Sequence, residues 1–353
     1  MTKNFFWSEI VQQLNPYVPG EQPINPHLIK LNTNENPYPP SADVREAILS
    51  ELNGELRLYP DPDASLLKET ISKNLNVQKN QVFVGNGSDE VLAHIFYAFF
   101  KQNSPIFFPD VTYSFYETYS SLYEIPFNLI PLTKNFCINI DDYKKPNGGI
   151  IFPNPNAPTG RLLSLSLIED LLRANQHSIL VVDEAYIDFG GKSCIPLISK
   201  YSNLLVTQSL SKSRSLAGLR VGFAVGNHSL IEALNRVKNS FNSYPIDRLA
   251  IVGSIAAFND MECFEKSRKK IIKSREKLSS DLVNLEFSVI PSAGNFLFAT
   301  HHKYDAAELA SFLRKHNILV RHFNKERIKD YLRITIGLPE DNEYFIRVIK
   351  KFS

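Results

Sequence analysis

A series of short apolar runs between residues 81 and 226, each followed by a turn or a helix-like stretch, narrows what this chain can become. Gln81-Val-Phe-Val84, Ile106-Phe-Phe-Pro109, Gly149-Ile-Ile-Phe152, Ser178-Ile-Leu-Val-Val182, Leu204-Leu-Val206 and Val221-Gly-Phe-Ala-Val225 carry almost no polar residues. A strand that is apolar at every position is covered on both faces. Strands that alternate with helices pair mostly in parallel, because each crossover needs about a helix's length of chain. The expected core is therefore an α/β one, a mostly parallel sheet with helices on both sides. At 353 residues the chain is long enough for one large domain and a smaller one.

In such a sheet the ligand crevice lies beyond the carboxyl ends of the strands. Gly85-Asn-Gly-Ser-Asp-Glu90 joins a strand to a helix, and the free amides of that helix start suit a phosphate. The run has neither the dinucleotide glycine spacing nor a Walker lysine. Tyr113 follows the next strand and can stack on a flat heterocycle, whereas Phe115 and Tyr119 are expected to pack in the core. Asn156 sits in the rigid turn Pro153-Asn-Pro-Asn-Ala-Pro-Thr-Gly160, where turn formation alone also explains asparagine. Asp183 ends a fully apolar strand and needs a positive or protonated partner, such as a pyridinium nitrogen. Tyr186 follows it closely.

Lys212 lies among Ser209, Ser211 and Ser213, with Arg220 close behind. A lysine in that setting suits a phosphorylated, carbonyl-bearing ligand, with the amine forming an imine and the hydroxyls and guanidinium taking the phosphate. Alone, Lys212 would be read as one solvated lysine among many. Its convergence with the strand-end residues sets it apart.

The flanks read differently. Phe5–Leu14 is a short amphipathic segment, followed by a Pro- and Asn-rich arm that lies across another surface. Ser41–Leu52 reads as a helix capped by Ser41, and Ser166 as a helix start with Glu169 as its capping-box partner. Residues 246–285 read as one long helical region, straight or bent, with a charged face. Strands around a turn at 287–298, a helix at 306–316, strands at 318–321 and 331–336 and a last helix at 340–351 complete an α+β unit. Arg321 and Arg333 end neighbouring strands and can face one anion. The net charge of +2 and scattered basic residues give no nucleic-acid footprint. Cys137, Cys194 and Cys263 are far apart with no C-x-x-C, so neither a disulfide framework nor a metal site is expected. No signal-peptide core or membrane-length apolar run is found. The expected location is the cytoplasm.

Taken together, Leu31-Asn-Thr-Asn-Glu-Asn-Pro-Tyr-Pro39, Arg57-Leu-Tyr-Pro60, Gly87-Ser-Asp-Glu90, Asn154-Pro-Asn-Ala-Pro-Thr-Gly160, Val182-Asp-Glu-Ala-Tyr186, Ser209-Leu-Ser-Lys-Ser-Arg-Ser-Leu-Ala-Gly-Leu-Arg220 and Leu332-Arg-Ile-Thr-Ile-Gly337 resemble the fold-type I, pyridoxal-phosphate-dependent aminotransferases. Among these, the match is to the branch that acts on histidinol phosphate, and it covers nearly the whole chain. The resemblance implies a large domain at 36–245 with a seven-stranded-type sheet, a small domain at 246–353 and an N-terminal arm at 1–35.

It also implies roles. Lys212 would bond pyridoxal 5′-phosphate and shuttle the substrate's Cα proton. Asp183 would pair with the ring nitrogen, Tyr186 would reach the phenolic oxygen and Tyr113 would stack. Gly87, Ser88, Asp89, Ser209, Ser211 and Arg220 would hold the phosphate, with Tyr59 reaching in from the other subunit of a homodimer with shared sites. Tyr17, Asn34, Arg321 and Arg333 would bind substrate. The chain departs from the family pattern at Ala157, where an asparagine is usual. Asn156 either takes over that contact with the phenolic oxygen or the contact is missing.

The implied reaction moves an amino group between histidinol phosphate or imidazole acetol phosphate and glutamate or 2-oxoglutarate, in histidine biosynthesis. An aromatic aminotransferase or a threonine-phosphate decarboxylase would share the cofactor residues. A non-enzymatic ligand sensor would need a basic DNA-binding domain that the chain lacks.

Overall fold

The computed structural model describes residues 6–23, 25 and 27–352; Phe5 of the amphipathic segment lies outside them. In chain order the strands are β1 (Ile29–Leu31), β2 (Val82–Asn86), β3 (Ile106–Pro109), β4 (Phe127–Ile130), β5 (Ile150–Pro153), β6 (Leu180–Asp183), β7 (Leu204–Ser209), β8 (Val221–Gly226), β9 (Phe287–Ile290), β10 (Phe296–His301), β11 (Ile318–His322) and β12 (Leu332–Thr335). The helices are α1 (Glu9–Gln13), α2 (Ala42–Glu51), α3 (Ser65–Leu75), α4 (Gly87–Ile95), α5 (Phe115–Leu122), α6 (Leu165–Ala174), α7 (His228–Phe241), α8 (Arg248–Asn259), α9 (Met261–Val283), α10 (Ala306–Lys315) and α11 (Pro339–Ile349).

One sheet has seven strands in the order β2-β8-β7-β6-β5-β3-β4. All run the same way except β8, which is antiparallel to both of its neighbours. Successive side chains point to opposite faces, and both faces are dry. Phe108, Ile151, Val181, Leu205 and Ala224 pack against Leu92 and Ile95 of α4, Tyr116 of α5 and Ile231 of α7. Their neighbours Phe107, Ile150, Phe152, Val182 and Val206 pack against Leu67 of α3, Leu171 of α6 and Phe258 of α8. The absence of alternation in these strands is explained by this two-sided burial.

A second sheet, β1-β11-β12-β10-β9, carries its own core with α9, α10 and α11. The N-terminal arm joins it through β1, which pairs in parallel with β11.

Three local expectations are corrected. Ser41 precedes α2 but makes no capping bond; its hydroxyl is buried without a partner. The cap of α6 is Ser164, which accepts from the Leu167 amide, while Glu169 is held by Tyr201 and Arg173. The stretch at 246–285 is two helices, because Asp260 leaves helical geometry and its carboxylate accepts from the Cys263 amide at the start of α9. α4 begins at Gly87, within the glycine turn itself, and Phe96–Phe100 after it widens into a π-turn.

Asp260→Ala leaves the first turn of α9 with an unmet amide. It should lower the unfolding free energy by about 1 kcal/mol in urea titrations without altering the far-ultraviolet circular dichroism of the folded protein.

Candidate active site

With β8 reversed, the ends of β2, β3, β5, β6 and β7 and the start of β8 meet along one edge. Register fixes the neighbours: Pro153 pairs with Asp183, Asp183 with Thr207, and Asn86 with Val221. Gly87, Tyr113, Asn156, Asp183, Lys212 and Arg220 all follow or precede these ends, as expected of them.

The turn from β2 into α4 requires glycine. Gly87 has φ +78°, and a Cβ there would lie 2.5 Å from Arg220 Nη2. A Cβ on Gly222 would lie 2.3 Å from the Ser88 amide nitrogen. The first-turn amides of α4, at Gly87, Ser88 and Asp89, thus lie beside Arg220. The Asp89 carboxylate accepts from Arg220 Nη2 at 3.0 Å and from the Tyr113 hydroxyl at 2.9 Å. On the facing turn, Ser209 Oγ accepts from the Ser211 amide.

Asp183 is fully buried at the end of β6. It accepts from the Tyr116 hydroxyl at 3.2 Å and the Ala185 amide at 3.2 Å, a hydroxyl and an amide rather than a cation. Burial pushes its carboxyl up to about 6, with those hydrogen bonds pulling the other way.

Lys212 is half-buried, with Nζ 3.0 Å from the Thr33 carbonyl and 5.9 Å from the Tyr186 ring centre. Asn36 donates to the carbonyls of Lys212 and Ser213, and Ser213 donates to Asp188. The Tyr186 hydroxyl accepts from Asn34 Nδ2 at 3.0 Å. Asn34, at φ 56°, is held in turn by Thr335 and Asn295. Asn156 donates its amide to the Val111 carbonyl and to Thr159, leaving Oδ1 buried without a partner. It presents an acceptor rather than a donor.

Arg321 and Arg333 stand directly opposite each other on β11 and β12. Both guanidinium groups lie over Phe323, at 5.5 and 5.6 Å from its centre. Arg333 donates to the Asn32 carbonyl at 2.8 Å, and its Nε is buried with no partner. Burial pushes its guanidinium down from the ordinary value, though arginine keeps its charge at any working pH. Tyr17 stacks on Phe115 at 4.2 Å and meets Tyr113 edge-on at 6.2 Å. Burial raises its phenol while Arg321 and Arg333 pull it down, so the ring lies within the field of both arginines.

Tyr59 does not join this group. It is 80% exposed and stacks on Tyr244. Phe115, expected only in the core, also forms the platform under Tyr17. Tyr116, Thr33, Asn36 and Phe323 were not foreseen. Tyr116 reaches Asp183 from the first turn of α5, while Tyr113 reaches Asp89 from the loop before that helix.

Residues 26–349 match the aminotransferase class I and II family. The chain belongs to the class I and II aminotransferases. A histidinol-phosphate aminotransferase of Pseudomonas putida (strain W619) is 60% identical to it over 341 residues, 97% of this chain and 98% of the relative. Histidinol-phosphate aminotransferase 1 of Methylococcus capsulatus is 61% identical over 334 residues, 95% and 94% of the two chains. The crystal structure of histidinol-phosphate aminotransferase from Sinorhizobium meliloti, in complex with pyridoxal 5′-phosphate, superposes with a TM-score of 0.89 over 100% of both chains at 19% identity.

Aminotransferases of this family work with pyridoxal 5′-phosphate, and the residues present fit it. Asp183 is a buried carboxylate with no cation paired to it among the described residues, which a protonated ring nitrogen would supply. The glycine at 87 lets the Arg220 guanidinium lie against the first turn of α4, a setting of amides and positive charge that suits an anion.

The raised carboxyl has a consequence for the cofactor-free aminotransferase. Folded Asp183 holds its proton more tightly than unfolded Asp183, so this stability contribution is present below pH 4 and lost as pH rises through about 6. Asp183→Asn should therefore stabilise the cofactor-free protein at pH 7.5, by about 3 kcal/mol. Near pH 4 it should change little, as read by urea unfolding at the two pH values.

Proposed function

We propose that this aminotransferase exchanges the amino group of histidinol phosphate with 2-oxoglutarate, giving imidazole acetol phosphate and glutamate, as a step in histidine biosynthesis. The facing pair Arg321 and Arg333, with Arg333 buried and its Nε unmet, carries this reading. Two guanidinium groups at one spot suit a phosphate dianion better than a single carboxylate. The identity of about 60% to the Pseudomonas and Methylococcus enzymes supports it.

When bound, pyridoxal 5′-phosphate supplies an aldehyde and an electron-withdrawing ring. The protein's part is then assigned by chemistry. Lys212 takes the proton from the substrate's Cα and returns it on the other side of the transfer, as general base and then acid. Asp183 holds negative charge against a protonated ring nitrogen in a dry setting, where it needs no reorganisation. The Gly87–Asp89 amides, Ser209, Ser211 and Arg220 hold the cofactor's phosphate. Tyr113 stacks on the ring, and Tyr186, aimed by Asn34, donates to its phenolic oxygen. Asn156 donates its amide to Val111 and Thr159 instead, so in this reading the usual contact with that oxygen is missing. Arg321, Arg333, Tyr17 and Asn34 hold the substrate, Arg333 taking the α-carboxylate when glutamate occupies the site.

We also infer a homodimer in which Tyr59 reaches the partner's phosphate site. Exposed Leu49, Leu52, Leu56, Leu58, Leu66 and Phe241, in the stretches of chain that carry Tyr59 and Tyr244, support an apolar surface that a second copy covers. A large unit at 36–245, a small one at 246–353 and the arm at 1–35 agree with the two separate sheets. A cytoplasmic location accords with the three free cysteines. No helix among the described residues is long and apolar enough to cross a membrane.

The test is a single-turnover reaction on purified enzyme, following bound-cofactor absorbance as one amino donor is added. Histidinol phosphate should react at least about a hundredfold more efficiently than phenylalanine or tyrosine. Parity would make the enzyme an aromatic aminotransferase. Lys212→Ala should keep the circular dichroism spectrum yet lose turnover by roughly a thousandfold or more; near-native turnover would refute its role.

A further inference from the structure

Arg321 and Arg333 stand at the two ends of a single connector, residues 323–331, that joins β11 to β12. That connector does not hang free over the site. Arg327 forms an ion pair with Asp110, and its Nη2 donates to the carbonyls of Leu132 and Thr133 at 3.0 and 3.2 Å. Asp110 uses its other oxygen to accept from the Leu132 amide at 2.9 Å. The guanidinium also lies 5.7 Å from the Phe136 ring centre. Next to it, Ile328 is buried among Val111, Leu132, Phe136 and Phe298, and Tyr331 stacks on Phe298 at 4.6 Å.

These contacts join the segment between the substrate arginines to the loop after β3. Asp110 and Val111 lie on the same loop as Tyr113, separated from it by Thr112, and the Val111 carbonyl also receives Asn156. A second pair, Lys325 with Glu117 on α5, links the same connector to the helix that bears Phe115 and Tyr116. That pair is largely exposed and contributes little. Arg327 is different: one guanidinium satisfies a carboxylate and two carbonyls over an apolar plug.

We propose that Arg327 and Asp110 are positioning residues for the two-arginine anion site, holding Arg321 and Arg333 in register with Tyr113 and Lys212. The pair acts through the connector and touches neither substrate nor cofactor. Its effect is on recognition of a phosphate monoester, and the proposal rests on the reading that Arg321 and Arg333 bind that group.

The experiment compares kcat/KM for histidinol phosphate and for unphosphorylated histidinol in the holoenzyme and in Arg327→Ala, Asp110→Asn and Arg321→Ala. Arg327→Ala and Asp110→Asn should each raise KM for histidinol phosphate by about tenfold, because a displaced binding group loses much of its effect. Their kcat/KM for histidinol and their bound-cofactor absorbance should stay near those of the parent enzyme. An equal loss on both substrates, or no loss on either, overturns the proposal. Arg321→Ala separates the two levels of the argument. If it leaves the preference for the phosphorylated substrate intact, the anion reading itself fails. If it removes that preference while Arg327→Ala and Asp110→Asn do not, only the positioning role fails. Asp110→Asn covers the case in which Arg327→Ala does not fold.

Discussion

A carboxylate buried at the end of a dry strand is the constraint on which the rest of this site depends. Asp183 stands there with no cation paired to it among the described residues, accepting from Tyr116 and the Ala185 amide. Such a group is unfavourable when charged unless a ligand completes it. The fold supplies the burial by packing β6 in the middle of the seven-stranded sheet, with β5 on one side and β7 on the other. The same strand end places Tyr186 beside it, and the register of β7 brings the Lys212 turn to the same edge. With Asp183 paired to the ring nitrogen, as proposed, binding the cofactor and relieving that electrostatic defect would be the same event.

Two other features converge on that edge from outside the parallel strands. The reversal of β8 lets Arg220 enter the site at a strand's beginning, beside the first turn of α4. The N-terminal arm crosses between the two sheets: β1 adds to one of them, Tyr17 lies on Phe115, Thr33 meets Lys212 and Asn34 aims Tyr186. The arm has no core of its own. Its order comes from these contacts, and Lys212, Tyr186, Arg333 and Phe115 share it as a common support.

Much of this was legible in the chain because it is written in local patterns. Continuous apolar strands, a glycine turn before a helix, an aspartate after a strand and a lysine among serines each leave a signature a few residues long, and the sheet places them together. Helix caps were less legible. Ser41, Ser164 and Ser166 look alike, and which one accepts an amide depends on packing that decides where the helix starts. The break at Asp260 was hidden because the flanking helices share a continuous helical pattern. Tyr116 and Arg327 were missed for another reason. Their partners, Asp183 and Asp110, are far away in sequence, and a long-range hydrogen bond or ion pair has no periodicity to read.

The central claim, that Asp183 exists to hold a protonated ring nitrogen, is tested most directly by nitrogen NMR of the enzyme reconstituted with ring-¹⁵N pyridoxal 5′-phosphate. The account predicts a protonated nitrogen from pH 6 through pH 8.5, well above the range in which a free pyridine nitrogen of this kind holds its proton, and loss of that signature in Asp183→Asn. An unprotonated nitrogen at neutral pH in the parent enzyme would contradict the role given to Asp183 and the organisation of the site around it.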